Sequence, residues 1–318
     1  MIGAHFRVVA EHLSFPEGPV ALPDGSVLLV EIASGDLSRV SPDGEVIRVA
    51  HLGGSPNGAA IGPDGKCYVC NSGGFRWHDR PGFGLFGGMQ SDGYDGGRIQ
   101  RVDLSTGSVE LLYENSDAGP LKGPNDLVFD AHGGFWLTDS GKTRDDDRDH
   151  GSILYGRADG TLLRRVIHPI IHPHPNGIGL SPDGQLLYMA ETATGRIWRF
   201  KIAGPGEVER APFPSPHGGT LVAGLPGYQL LDSLAVEANG NICVATMMNG
   251  GISIVSPDGA SVEHIALPDL LTTNICFGGG GLRKAYITLS ATGKLIEIDW
   301  PRAGLPLNFL NIDPTQPS

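Results

Sequence analysis

Three observations in the sequence predict an all-β chain folded as a six-bladed β-propeller of four-stranded antiparallel blades. The first is a repeat. A polar anchor opens an apolar run that ends in a glycine turn eight positions later: Glu17 to Gly25 (PEGPVALPDG), Asn57 to Gly65 (PNGAAIGPDG), Asn125 to Gly133 (PNDLVFDAHG), Asn176 to Gly184 (PNGIGLSPDG) and Asp232 to Gly240 (LDSLAVEANG). Asn274 opens a sixth, weaker copy (TNICFGGGG). The anchors are 40, 68, 51, 56 and 42 residues apart, a period that belongs to propellers and other repeat arrays. The second observation is a pair of β-rich runs after each turn. Every unit continues with one such run (SVLLVEI, KCYVCNS, GFWLTDS, QLLYMAE, NICVATM, KAYITLS) and then another (DLSRVS, GRIQRVD, GSILYG, GRIWRF, GGISIVS, GKLIEID). A fourth run is visible in EVIRVA, VELLYE and VEHIAL. The third is the turn chemistry, since Asp-Gly and Asn-Gly pairs join the first two runs as hairpins do. Four-stranded units repeated radially are propeller blades.

The expected domain is single and spans residues 1–318. Residues 5 to 13 (HFRVVAEHL) read as a strand that closes the ring by pairing beside the strands of residues 285 to 311. In blade two, residues 72 to 97 form a Gly- and aromatic-rich insertion between the second and third strands. Loops of that length are functional lids or disordered segments. Phe75, Trp77, Phe83, Phe86 and Tyr94 argue against disorder, which leaves a lid over the channel mouth or an interface. The acidic loop from Lys142 to Gly151 reads as a solvated surface turn. From Pro301 onward the chain reads as Pro-rich coil, with residues 312–318 as a tail.

Composition narrows the function. The net charge of -12 without a Lys/Arg cluster excludes a nucleic-acid partner and suits a cation or a neutral small molecule. No apolar stretch is long enough to cross a membrane. The start of the chain has no basic region followed by a long apolar core, so no secretory leader is expected. Cys67 and Cys70 form a CxxC inside a strand, where their spacing points the thiols to opposite faces. Free thiols suit a reducing compartment, so a cytoplasmic protein is expected. His168, His172 and His174 lie in a Pro-rich segment without zinc-site spacing.

First strands of blades lie nearest the axis, so the six anchors converge on one mouth of the channel. Glu17, Asn176 and Asp232 offer two carboxylates and an amide oxygen, with Asn125 nearby. Hard oxygen donors with room for water select Ca²⁺, Mg²⁺ or Mn²⁺. A carboxylate beside such an ion can take a proton from an attacking water. No GxSxG elbow, P-loop or GxGxxG fingerprint is present.

The units resemble those of the senescence-marker-protein/gluconolactonase/luciferin-regenerating-enzyme-like family, six-bladed propellers that include metal-dependent sugar lactonases. FPEGP, GPNDLVFD, HPNGIGLSPDG, LDSLAVEANGNICVA, TTNICFGG and AYITLS carry the resemblance, which covers essentially the whole chain. It implies Glu17, Asn176 and Asp232 as metal ligands and Asp232 as general base. Asn125 matches a residue contacting metal-bound water or substrate, with Asp126 beside it. Asn57, Lys122 and His174 complete the substrate-facing candidates. Sugar-lactonase members can carry Arg two positions before the Asn125 equivalent; this chain has Gly123 there, with Lys122 one further back. The expectation is a monomeric or homodimeric hydrolase that opens a sugar-acid lactone with one divalent cation, Ca²⁺ first and Mg²⁺, Mn²⁺ or Zn²⁺ as alternatives. A phosphotriesterase of the diisopropyl-fluorophosphatase type and a non-catalytic ligand-binding propeller are the other readings.

Overall fold

The structure, a computed structural model, describes residues 5–172 and 174–312. Six antiparallel sheets succeed one another around an axis. Their innermost strands are Pro16–Ala21, Pro56–Ile61, Pro124–Phe129, Pro175–Leu180, Leu230–Val236 and Thr272–Gly278. These are the six repeated runs, one to a blade. The turns behave as their sequences dictate: Gly65 and Gly184 have φ of 71° and 67°, a region open to glycine at no steric cost. Blade four departs from four simple strands, because its outermost strand is split into Glu207–Glu209 and Thr220–Gly224, both paired with Arg196–Gly204.

The N-terminal strand Arg7–Ala10 pairs with Lys294–Asp299 as the outermost strand of blade six. The ring is therefore closed by strands from the two ends of the chain, as the sequence predicts. Second strands are buried on both sides, since each blade is covered by two neighbours. Cys67 and Val69 pack with Leu28 and Val30 of blade one, while Tyr68 and Cys70 face Phe135 and Leu137 of blade three. The two thiols of the CxxC thus point to opposite faces, and all four cysteines are free and buried. Among the described residues no helix is long and apolar enough to cross a membrane.

The blade-two insertion is a β-hairpin, Phe75–Arg80 paired with Gly84–Gln90. It folds back over its own propeller. Near its root, Gln90 N donates to Thr143 O of blade three at 2.9 Å; at its tip, Leu85 N donates to Ala291 O of blade six at 3.3 Å. The C-terminal segment is ordered at the opposite end of the axis. Leu305 N donates to Val236 O at 2.8 Å, and Phe309 packs edge-on to Phe129. Residues 313–318 of the expected tail lie outside the described residues.

Candidate active site

Each inner strand loses its regular register at its anchor. The irregularities fall between Glu17 and Val20, Pro56 and Ala59, Pro124 and Leu127, Pro175 and Ile178, Leu231 and Leu234, and Thr272 and Asn274. Such a bulge re-aims a side chain out of the alternating pattern. Repeated six times, it sets one polar residue per blade at the same end of the axis. Glu17, Asn57, Asn125, Asp126, Asn176, Asp232, Ser233 and Asn274 are all at most 8 % exposed. The close approach of the inner strands needs glycine. A Cβ on Gly58 would lie 2.5 Å from Asp126 Oδ1, and one on Gly177 would lie 2.7 Å from Asp232 O.

The ring is tied together across blades. Asn274 Nδ2 donates to Glu17 Oε2 at 2.7 Å, and the Gly18 amide donates to the same oxygen. Asp126 accepts from Leu127 N at 2.8 Å and from Ile178 N of blade four at 3.4 Å. Ser233 Oγ donates to Asn176 Oδ1 at 3.5 Å. Two ring oxygens have no partner: Glu17 Oε1 and Asn125 Oδ1 are buried and unbonded.

Burial dominates the electrostatics. It pushes the Asp126 carboxyl up to about 7. It does the same to Asp232, also to about 7, against a hydrogen bond from Asn176 and with Asp126's charge adding to the rise. Glu17 is held well above the usual carboxylate range, first by burial and then by the charge of Asp232. Three buried acids that resist ionising are a poor arrangement for the protein alone. A divalent cation among them reverses that balance, because desolvated charges are tolerated when paired. The orphaned Glu17 and Asn125 oxygens and the all-oxygen donor set fit a hard cation. No three His, Cys, Asp or Glu side chains among the described residues form a metal-binding group by themselves, so amide oxygens must complete any site. Glu17, Asn176 and Asp232 are the residues that could hold the ion.

The remaining candidates are distributed around the mouth. His174 is partly buried, with Nε2 3.3 Å from Thr143 Oγ1, and burial lowers its pKa. The Lys122 side chain is exposed; its carbonyl accepts from Tyr94 OH at 2.8 Å.

Lys142 corrects the sequence reading of its loop. It is 1 % exposed rather than solvated, because it is carried under the hairpin root. Its Nζ donates to Gly74 O at 3.0 Å and lies 3.9 Å over the Phe75 ring. The adjacent charges that gave the loop its solvated look are outside: residues 145 to 148 are exposed.

Residues at the ends of the second strands position the anchors; the sequence pointed to Glu31 and Glu191 as supporting or blade-top turn residues, and it missed the roles of Asp139 and Asn71. At the end of blade three's second strand, Asp139 accepts from Lys122 N (2.8 Å), Gly123 N (2.7 Å) and Gly141 N (2.9 Å). It fixes the approach to Asn125. Asn71 accepts from Ser55 N ahead of Asn57, and Glu31 from Ser14 N ahead of Glu17. Their signal was available: each lies at the equivalent point of its blade. Glu191 occupies that point in blade four but is buried within its own blade, accepting from Trp198 Nε1 at 3.2 Å.

A cavity of about 530 Å³ lies on the other side of the ring, toward Leu305 and Ile312. It reaches Gly18, Asp126 and Asn274 but not Glu17, Asn125, Asn176 or Asp232. It is the lower part of the central channel.

Fold and ring together define a six-bladed propeller with a buried oxygen-donor site on its axis. Residues 15–291 match the SMP-30/Gluconolactonase/LRE-like region, and the chain belongs to that family. A lactonase of Staphylococcus epidermidis is 26 % identical over 248 residues, 77 % of this chain and 67 % of that protein. A gluconolactonase of Zymomonas mobilis is 26 % identical over 325 residues, covering 93 % and 82 %. Among solved structures, a calcium-binding regucalcin from Agrobacterium tumefaciens superposes with a TM-score of 0.73 over 95 % of each chain at 19 % identity.

Proposed function

We propose that this chain is a metal-dependent hydrolase that opens a lactone ring. The observation that supports the reading is the buried ring itself: Glu17, Asn125, Asn176 and Asp232 are all buried, and Glu17 Oε1 and Asn125 Oδ1 are without partners. The names of the relatives, a lactonase and a gluconolactonase, support the reaction class. The calcium-binding neighbour supports a divalent ion.

When bound, a divalent cation supplies Lewis acidity toward a carbonyl and lowers the pKa of water. The protein's own part comes from its residues. Asp232, buried beside the position of the ion, takes the proton from the attacking water. Asn125 turns its amide N–H toward the oxygen on which charge develops. Glu17, fixed through one oxygen by Asn274, keeps the other for the ion. The hairpin excludes bulk water from above. The four free thiols suit a reducing compartment, in keeping with a cytoplasmic enzyme.

The test is hydrolysis of a lactone panel by chelator-stripped protein, with Ca²⁺, Mg²⁺, Mn²⁺ or Zn²⁺ added back. Turnover restored by a metal is the expected result. Organophosphate turnover without lactone turnover would replace the reading with a phosphotriesterase. Absence of both turnover and metal binding would leave a ligand-binding propeller.

A further inference from the structure

The mouth above the ring has two unlike sides. On the side of blades three and four stand polar groups: Asn125, Asn176, and the Thr143–His174 pair at 3.3 Å. On the side of blades one, five and six there is an apolar cluster whose outer members are partly exposed. Phe75, Trp77, Phe83, Leu85 and Phe86 of the hairpin join Met247 and Met248 of the blade-five turn around buried Phe15, Leu271 and Ala291. Phe15 is two residues before Glu17, and Leu271 three before Asn274, so this surface borders the ring. It is built rather than incidental. Trp77 packs on Phe15 with ring centroids 5.0 Å apart. Met248 N donates to Leu270 O at 2.7 Å and holds a φ of 70°, which a side-chain-bearing residue adopts only when its surroundings impose it. On the first hairpin strand Arg76 turns away to pair with Asp145 at 3.3 Å and His78 is exposed, while Arg80 lies over the Phe86 ring at 5.4 Å.

We propose that the substrate is a lactone bearing an aliphatic substituent, with its ester toward Asn125 and Asp232 and the substituent against Trp77, Phe86, Met247 and Met248. This rests on the lactonase reading and deepens it. Each methylene moved from water to such a surface favours binding by about fourfold when fully buried. A sugar hydroxyl in the same place finds no partner there, and an unpaired buried hydroxyl costs about ten- to a hundredfold.

The experiment compares kcat/KM for δ-valerolactone, δ-decalactone and D-glucono-δ-lactone, using protein loaded with the metal that best restores activity. δ-Decalactone is expected to exceed both others by at least about tenfold. Trp77→Ala and Met247→Ser are each expected to collapse the decalactone-to-valerolactone ratio. The second variant lies on the propeller and keeps the test valid if the first disturbs the hairpin. D-Glucono-δ-lactone as the equal or better substrate overturns the proposal, as does a ratio unchanged in both variants. Binding of 2-pentylcyclopentanone, a ring without an ester, is followed in parallel by tryptophan fluorescence. Saturable binding lost in Met247→Ser, which keeps Trp77 as the reporter, with no lactone hydrolysed, supports apolar recognition and removes the hydrolase reading. Neither hydrolysis nor binding overturns both.

Discussion

Asn274 and Glu17 stand 257 positions apart in the chain and 2.7 Å apart in the fold, the amide of the last blade donating to the carboxylate of the first. The bond orients Glu17 so that its second oxygen stays free. Asn274→Ala is expected to lower the affinity for the divalent ion and to destabilise the protein by about 1–3 kcal/mol. Calorimetric titration with Ca²⁺ and thermal unfolding check the two effects. Unchanged ion affinity would show that Glu17 needs no such guide.

Asp232 is assigned both as ligand and as base. Asp232→Asn keeps an oxygen donor and removes the proton acceptor. Its kcat on the best lactone is expected to fall by about 10²- to 10⁴-fold while the fold is kept. Steady-state kinetics beside a circular-dichroism melt decide it; wild-type turnover in this variant would end the assignment.

Lys142 gives the pH dependence. Burial lowers its amine from 10.5 to about 7, although Asp139, Asp95 and Asp149 favour the charge. Between those values the unfolded chain holds a proton that the folded protein has released, so stability contributed by this residue rises with pH. Lys142→Met removes the titration. Its stability relative to wild type is expected to fall by about 2 kcal/mol from pH 7 to pH 9, read from urea unfolding at several pH values. A constant difference across that range would mean that the amine titrates normally.

Gly58→Ala tests the spacing of the inner strands. Its Cβ would meet Asp126 Oδ1 at 2.5 Å and Asn125 O at 2.7 Å. Backbone must shift, at a cost of about 1–3 kcal/mol, and the shift moves Asn125. A drop in both melting temperature and kcat is expected. A melt and a turnover number like the wild type's would show slack between blades two and three.

The architecture was legible because each blade repeats the same local rules: a turn glycine, an alternating strand, an anchor. The ring was legible for the same reason, since equal offsets from equal turns must land at equal heights on the axis. What escaped were contacts between segments that share no repeat. Lys142 lies in a run of charges that reads as solvent-facing, and only the hairpin laid over it, from another blade, makes it buried. The positioning role of Asp139 was hidden because its partners are backbone amides, which every sequence has. The apolar side of the mouth was hidden likewise, because Phe15, Trp77, Met247 and Ala291 come from four separate stretches.

The strand Arg7–Ala10 lies in blade six, where Arg7 meets Glu297, 290 residues further along the chain. Closing a loop of that length costs about 5 kcal/mol of chain entropy. A ribosome therefore releases most of this protein before the ring can shut. Until then Glu17 has no Asn274 to hold it. A site built on Glu17 would thus be assembled only when the circle is complete.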